Sequence, residues 1–147
     1  GQNLRINVDN GATTTDGPIN RLVAAPSVTA GAYTNSFAGA TATTLYDIDT
    51  TLDQVSIQSP PNNGSLIATG KLTVDAGSTV GFDNYTQLRK GVAVDNHAFA
   101  TLVVNGTTGF YRVNLFTGSA TLIDNFSRDK PDDFSDPVID IAIPLKQ

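Results

Sequence analysis

The sequence predicts an all-β chain made of four-stranded, β-propeller-like blades, two whole and two partial, with little or no helix. Three observations lead there. Glutamate is absent while threonine occurs 19 times in 147 residues, a balance that favours extended backbone over helix. All 14 acidic residues are aspartate, a side chain that bonds its own nearby backbone and so belongs at turns and caps. Three hairpin-like passages also recur, "LRINVDNGATTTDG", "VSIQSPPNNGSLIATG" and "FYRVNLFTGSATLIDN", with turn glycines Gly11, Gly64 and Gly118 spaced 53 and 54 residues apart.

The elements follow in chain order. Residues 1–17 form a partial blade, because Leu4, Ile6 and Val8 alternate with polar residues before Asn10-Gly11, a pair able to take positive φ in a tight hairpin. A first whole blade spans 28–72, with strands at 28–34, 43–49, 53–59 and 65–71. Here Val55 and Ile57 hold the apolar positions and Pro60-Pro61 lengthens the loop before Asn63-Gly64. A second whole blade spans 79–125, with strands at 79–85, 97–104, 109–116 and 119–125. Its Tyr111, Val113 and Leu115 fall opposite Leu4, Ile6 and Val8, Asn114 falls opposite Asn7, and Thr117-Gly118 marks the turn. The run "VIDIAIP" at 138–144 gives a terminal strand within 137–145, the first strand of a further blade. A four-stranded unit returning every roughly 40 to 50 residues is the mark of propeller blades, which bury their faces against one another. A β-sandwich with similar hairpins is the alternative.

Length and charge bound the function. One domain of 147 residues buries a single core. A net charge of −5 with a pI near 4.5 repels phosphate backbones, so no nucleic acid is expected as partner. Zero cysteine excludes disulfides, thiolate metal sites and a cysteine nucleophile. No run approaches the roughly 18 apolar residues of a spanning helix, so no membrane span is expected. Strand-like alternation begins by the third or fourth residue, so the start reads as a processing point or a cut within a larger domain.

Side chains that could carry chemistry are few. His97 is the single histidine, and nothing near it announces an orienting carboxylate or an oxyanion pocket, so a hydrogen-bonded loop residue is expected. Asp47, Asp49 and Asp53 in "DIDTTLD" are the candidates for a hard cation such as calcium, although EF-hand spacing is missing and aspartate is ordinary at strand ends. The stretch "RDKPDDFSD" at 128–136 mixes both signs between prolines and reads as a solvated loop joining blades. The sequons at Asn63, Asn84, Asn105 and Asn125 are expected by chance in so Asn- and Thr-rich a chain. Aromatics at matching positions, among them Tyr33, Tyr46, Phe82, Tyr111, Phe116 and Phe134, are expected in the core between blades, a carbohydrate platform being the alternative for some of them. No phosphate-binding glycine loop occurs. No catalytic residue and no cofactor is assigned.

The runs "AYTNSFAGATATTLYDIDT", "PPNNGSL", "GFD" and "FYRVNLFTGSATLI" together resemble the bacterial domain-of-unknown-function family 4394 over nearly the whole chain. That resemblance implies a secreted or surface-exposed, propeller-like protein and no particular activity. It also implies further repeats before the point matching Gln2.

The expected function is therefore a non-enzymatic, extracellular or cell-surface structural or interaction protein whose partner is itself. Incomplete blades expose unpaired strand edges, and such edges recruit another chain. The assembly residues expected are Leu4, Ile6 and Val8 at the front, and Val138, Ile139, Ile141 and Ile143 at the back. The product is a homo-oligomer, either a ring or a filament, such as a surface fibre or matrix. A propeller module binding glycans or peptides is the alternative, and an Asp-dependent polysaccharide hydrolase the third.

Overall fold

The computed structural model describes residues 1–22, 25–126 and 138–144. The expected solvated loop at 128–136, and Phe134 within it, lie outside the described residues, as do Pro137 and Leu145 of the expected terminal strand. Among the described residues, ten strands and one turn of 3-10 helix, Pro61–Asn63, make up the regular structure. A short hairpin, β1 (Leu4–Ile6) and β2 (Thr13–Thr15), precedes two four-stranded sheets. The first sheet is β3 (Val28–Tyr33), β4 (Leu45–Asp49), β5 (Gln54–Gln58) and β6 (Leu66–Lys71). The second is β7 (Val80–Arg89), β8 (Val92–Val104), β9 (Thr107–Val113) and β10 (Ala120–Asn125). Each sheet is an antiparallel meander whose spatial order follows chain order, the form expected of propeller-like blades.

The core lies where the two sheets meet, with β3 packed along β7. Period-two alternation puts Tyr46 and Ile48 of β4 on one face with Val55 of β5. These join Val80, Phe82, Ala98, Ala100, Leu102, Tyr111 and Val113 of the second sheet in one apolar cluster. The intervening residues Asp47 and Asp49 occupy the other face of β4 and are also buried. A strand buried on both faces normally reads as continuously apolar, so these two carboxylates require a separate account, given below.

Turn chemistry departs from the expected Asn-Gly hairpins. Asn7 donates its backbone N–H to Ala12 O and accepts from Gly11 N through its own carbonyl, which encloses a four-residue loop. Asn114, Ser119 and Gly118 repeat this arrangement. In both loops the leading asparagine folds back, Asn7 Oδ1 accepting from Asp9 N and Asn114 Oδ1 from Phe116 N and Thr117 N. Asn10 is thus not part of a two-residue turn. Turns with two consecutive positive-φ residues occur instead at Lys90-Gly91 and Asn105-Gly106.

The first of these lengthens two strands beyond their expected bounds. Residues 86–89 and 92–96 belong to strands, because Lys90-Gly91 closes β7 onto β8 and extends both into a long two-stranded arm. Apolar residues on this arm, Val92 and Val94, are exposed. Segment 138–144 differs from expectation in another way: it carries no ladder pairing. It crosses β7 where Gly81 has no side chain, since a Cβ there would lie 2.5 Å from Asp140 Cα. Lying over the sheet face, its backbone reaches a side chain instead, and Ile143 N donates to Asp83 Oδ2 at 2.6 Å.

Two close backbone contacts hold the units together. A Cβ on Gly70, at the end of β6, would lie 1.9 Å from Thr117 O, and one on Gly118 would lie 2.3 Å from the carbonyl carbon of Gly70. The β9–β10 turn therefore sits directly on the outer strand of the first sheet, and Ala120 N donates to Leu72 O beside it. Gly17 and Gly64 form a similar contact, a Cβ on Gly64 falling 2.4 Å from Pro18 O. Gly17 N donates to Asn62 O, Asn20 N to Gly64 O and Leu66 N to Asn20 O, which ties the β1–β2 hairpin to the first sheet.

Candidate functional site

The candidate site is a cleft of about 670 Å³ where the end of β3, the root of the β7–β8 arm and the β9–β10 loop converge. Asn35 starts it. Its φ of 54° turns the chain out of β3, a conformation asparagine tolerates better than most residues. Its backbone N–H donates to Asn96 Oδ1 at 3.0 Å, and Asn96 Nδ2 returns the bond to Asn35 Oδ1 at 3.0 Å. Thr86 Oγ1 donates to the same Asn96 oxygen at 2.9 Å. This reciprocal amide pair fixes the floor of the cleft across the two sheets. Tyr46 also borders it, and burial pushes its phenol above the ordinary range.

One wall is a packed polar stack. His97 lies over Tyr85 with ring centroids 6.3 Å apart and planes 12° from parallel. Arg112 Nη2 is 3.1 Å from His97 Nδ1, and Gln87 Oε1 is 3.3 Å from His97 Nε2. A guanidinium can only donate, so Nδ1 accepts and Nε2–H donates to the amide oxygen. Both ring nitrogens are thereby used, and neither offers a free lone pair for general-base work. His97 is hydrogen-bonded as expected, though it sits within a strand. Asp95 lies nearby, its Oδ2 3.6 Å from Nε2.

The opposite rim is the loop led by Asn114. Its Oδ1 is engaged by two backbone N–H groups, and its Nδ2 remains a donor. These bonds hold Phe116 out of the protein at 85% exposure. The expectation that the repeated aromatics are core holds for Tyr46, Phe82 and Tyr111, which are buried. It fails for Phe116 and Tyr33, because each sits where the chain turns away from the sheet interface.

The cation candidates are not brought together. Asp49 is fully buried and paired with Arg21, and it also accepts from Ser27 N, Thr51 N and Leu52 N. Asp53 accepts from Ala76 N at 2.9 Å and pins the segment that joins the sheets. Asp47 is 2% exposed, and its Oδ2 has no partner among the described residues. Desolvation pushes the Asp47 carboxyl up to about 7, so a proton competes with any cation there. Among the described residues no three acidic or histidine side chains converge to hold a metal.

The assembly candidates lie apart from the cleft. Leu4, Ile6 and Val8 are exposed, Val8 at 94%. Ile139 is exposed, while Val138, Ile141 and Ile143 are half-buried against the second sheet. The sequence reading singled out neither Arg112 nor Asn96, although a signal existed. Counting outward from the Asn105-Gly106 turn pairs Phe99 with Arg112, which places Arg112 on the same strand face as His97.

The chain matches, over residues 1–142, the family described as Domain of unknown function (DUF4394). It belongs to the DUF4394 family. The match covers both sheets, the hairpin and most of segment 138–144, so every residue of the cleft falls inside the DUF4394 region. No curated protein matches the DUF4394 chain, and no solved structure does.

Proposed function

We propose that this protein is a non-enzymatic structural or interaction protein that associates with copies of itself by completing blades, in an extracellular or cell-surface setting. The observation that carries the reading is the β1–β2 hairpin. All its strand residues are exposed, and among the described residues β1 pairs with β2 alone, which leaves its other backbone edge without a strand there. An unpaired edge lined by Leu4 and Ile6 is a template for strand addition.

Spacing supports treating this hairpin as half of a blade. Gly17 precedes Gly70 by 53 residues and Gly64 precedes Gly118 by 54, and the two glycine contacts are of the same kind. The hairpin thus stands toward the first sheet much as the first sheet stands toward the second. In the second sheet, β9 pairs with β8 on the side where β1 is bare. Segment 138–144 is mostly apolar and carries no ladder pairing, and an extended segment of this kind can add to the bare β1 edge of a second copy. A contact of front to back is heterologous, so it closes into a ring or propagates as a filament. The surface setting rests on the family kinship alone.

Light scattering across a concentration series of the pure chain tests the reading. Mass should rise with concentration, and Ile6→Lys or Ile141→Lys should return it to that of one chain. A single-chain mass at high concentration would overturn it.

A further inference from the structure

We infer that the cleft between the β7–β8 arm and the β9–β10 loop binds a neutral oligosaccharide, with Phe116 as its stacking platform. Four features lead to this ligand class. The cleft's volume of about 670 Å³ falls within the range of small-ligand sites, roughly 300 to 1,000 Å³. Its border presents amides and hydroxyls, with Asn114 Nδ2, Ser119 and Thr121 on the loop side and the Asn35–Asn96 pair below. Such groups match vicinal hydroxyls, which both donate and accept.

Charge decides against anionic ligands. Arg112 is the cation on the border and Asp95 the carboxylate, so the two formal charges cancel. Arg112 also commits one N–H to His97, which leaves its remaining donors for a sugar oxygen instead of a bidentate grip on phosphate.

The aromatic supplies the last feature. An exposed phenylalanine contributes nothing to the core, yet this one is held at a fixed site. The Asn114 side chain caps the loop, and Gly118 docks it onto Gly70. An exposed apolar ring on an anchored loop, beside a polar cleft whose formal charges cancel, offers one surface for the C–H face of a pyranose and another for its hydroxyls. Extended peptides lack that division into an apolar face and a ring of hydroxyls.

Isothermal titration of the full chain with cellohexaose, xylohexaose and mannohexaose tests the inference. Saturable binding to at least one is expected, weakened up to about tenfold in Phe116→Ala, the upper end of the range for an aromatic contact. Arg112→Ala should weaken it as well. The melting temperature of Phe116→Ala should match that of the parent, since the side chain is 85% exposed. Absence of binding to all three sugars, binding that both variants leave unchanged, or saturable binding of a peptide library in their place would overturn it. Self-association is read separately, because Ile6→Lys leaves the cleft untouched.

Discussion

At the scale of single residues, burial and close approach dominate. Asp47 is the sharpest case: its carboxyl, pushed from 3.8 to about 7 by desolvation, favours the protonated form in the folded state. The fold therefore holds this contribution fully below the unfolded value and loses it as pH rises through about 7. The interval corresponds to roughly 4 kcal/mol. Urea melts of Asp47→Asn should show stability that no longer falls between pH 4 and 7, and that exceeds the parent's at pH 8. A parent whose stability is flat over that window would refute the assignment. Asp49, by contrast, is held by a charged partner. Replacing it with alanine leaves the Arg21 guanidinium buried without its partner, and a loss of about 3 to 5 kcal/mol in the same melts is expected. Gly70 tests packing with no charge involved: Gly70→Ala sets a methyl 1.9 Å from Thr117 O. It should cost about 1 to 3 kcal/mol.

At the scale of elements, the turns decide where strands stop. The Asn-x-x-x-Gly loops depend on an asparagine side chain that satisfies backbone N–H groups the ladder cannot reach. Asn114→Ala removes two such bonds and should lower stability by about 1 kcal/mol, seen as an earlier urea midpoint. The strand pairs themselves were legible in the sequence. Val55 opposite Ile48, and Tyr111 opposite Ala100, follow from alternation around turns that can be read directly. The β7–β8 arm was not legible, because Arg89-Lys90-Gly91 is charged and short and reads as a break between strands. Its pairing becomes visible only when Lys90 and Gly91 both take positive φ. One wall of the cleft is built on that arm, so the cleft was hidden along with it.

At the scale of the whole molecule, the two sheets cover each other, while every strand residue of the β1–β2 hairpin is exposed. Amides of Leu4 and Ile6 have little around them to slow exchange with solvent. In dilute protein, hydrogen exchange at these amides should be fast. In concentrated protein it should slow by an order of magnitude or more if β1 gains a strand, while amides at Ile48 and Leu102, already fully buried, should not change. Unchanged fast exchange at β1 in concentrated protein would count against blade completion.

The sequence by itself determined the all-β class, the two four-stranded meanders and a separate front hairpin, because alternation, turn residues and a recurring spacing are local signals carried along the chain. Tertiary structure alone decided that Asp49 is spent on Arg21, that Asp47 is buried with Oδ2 unpaired among the described residues, that segment 138–144 crosses a sheet face, and that Arg112, Asn96 and Phe116 border one cleft. Each of these depends on which surfaces meet between units far apart in sequence. Strand periodicity fixes the face a side chain occupies, but it does not fix what lies against that face.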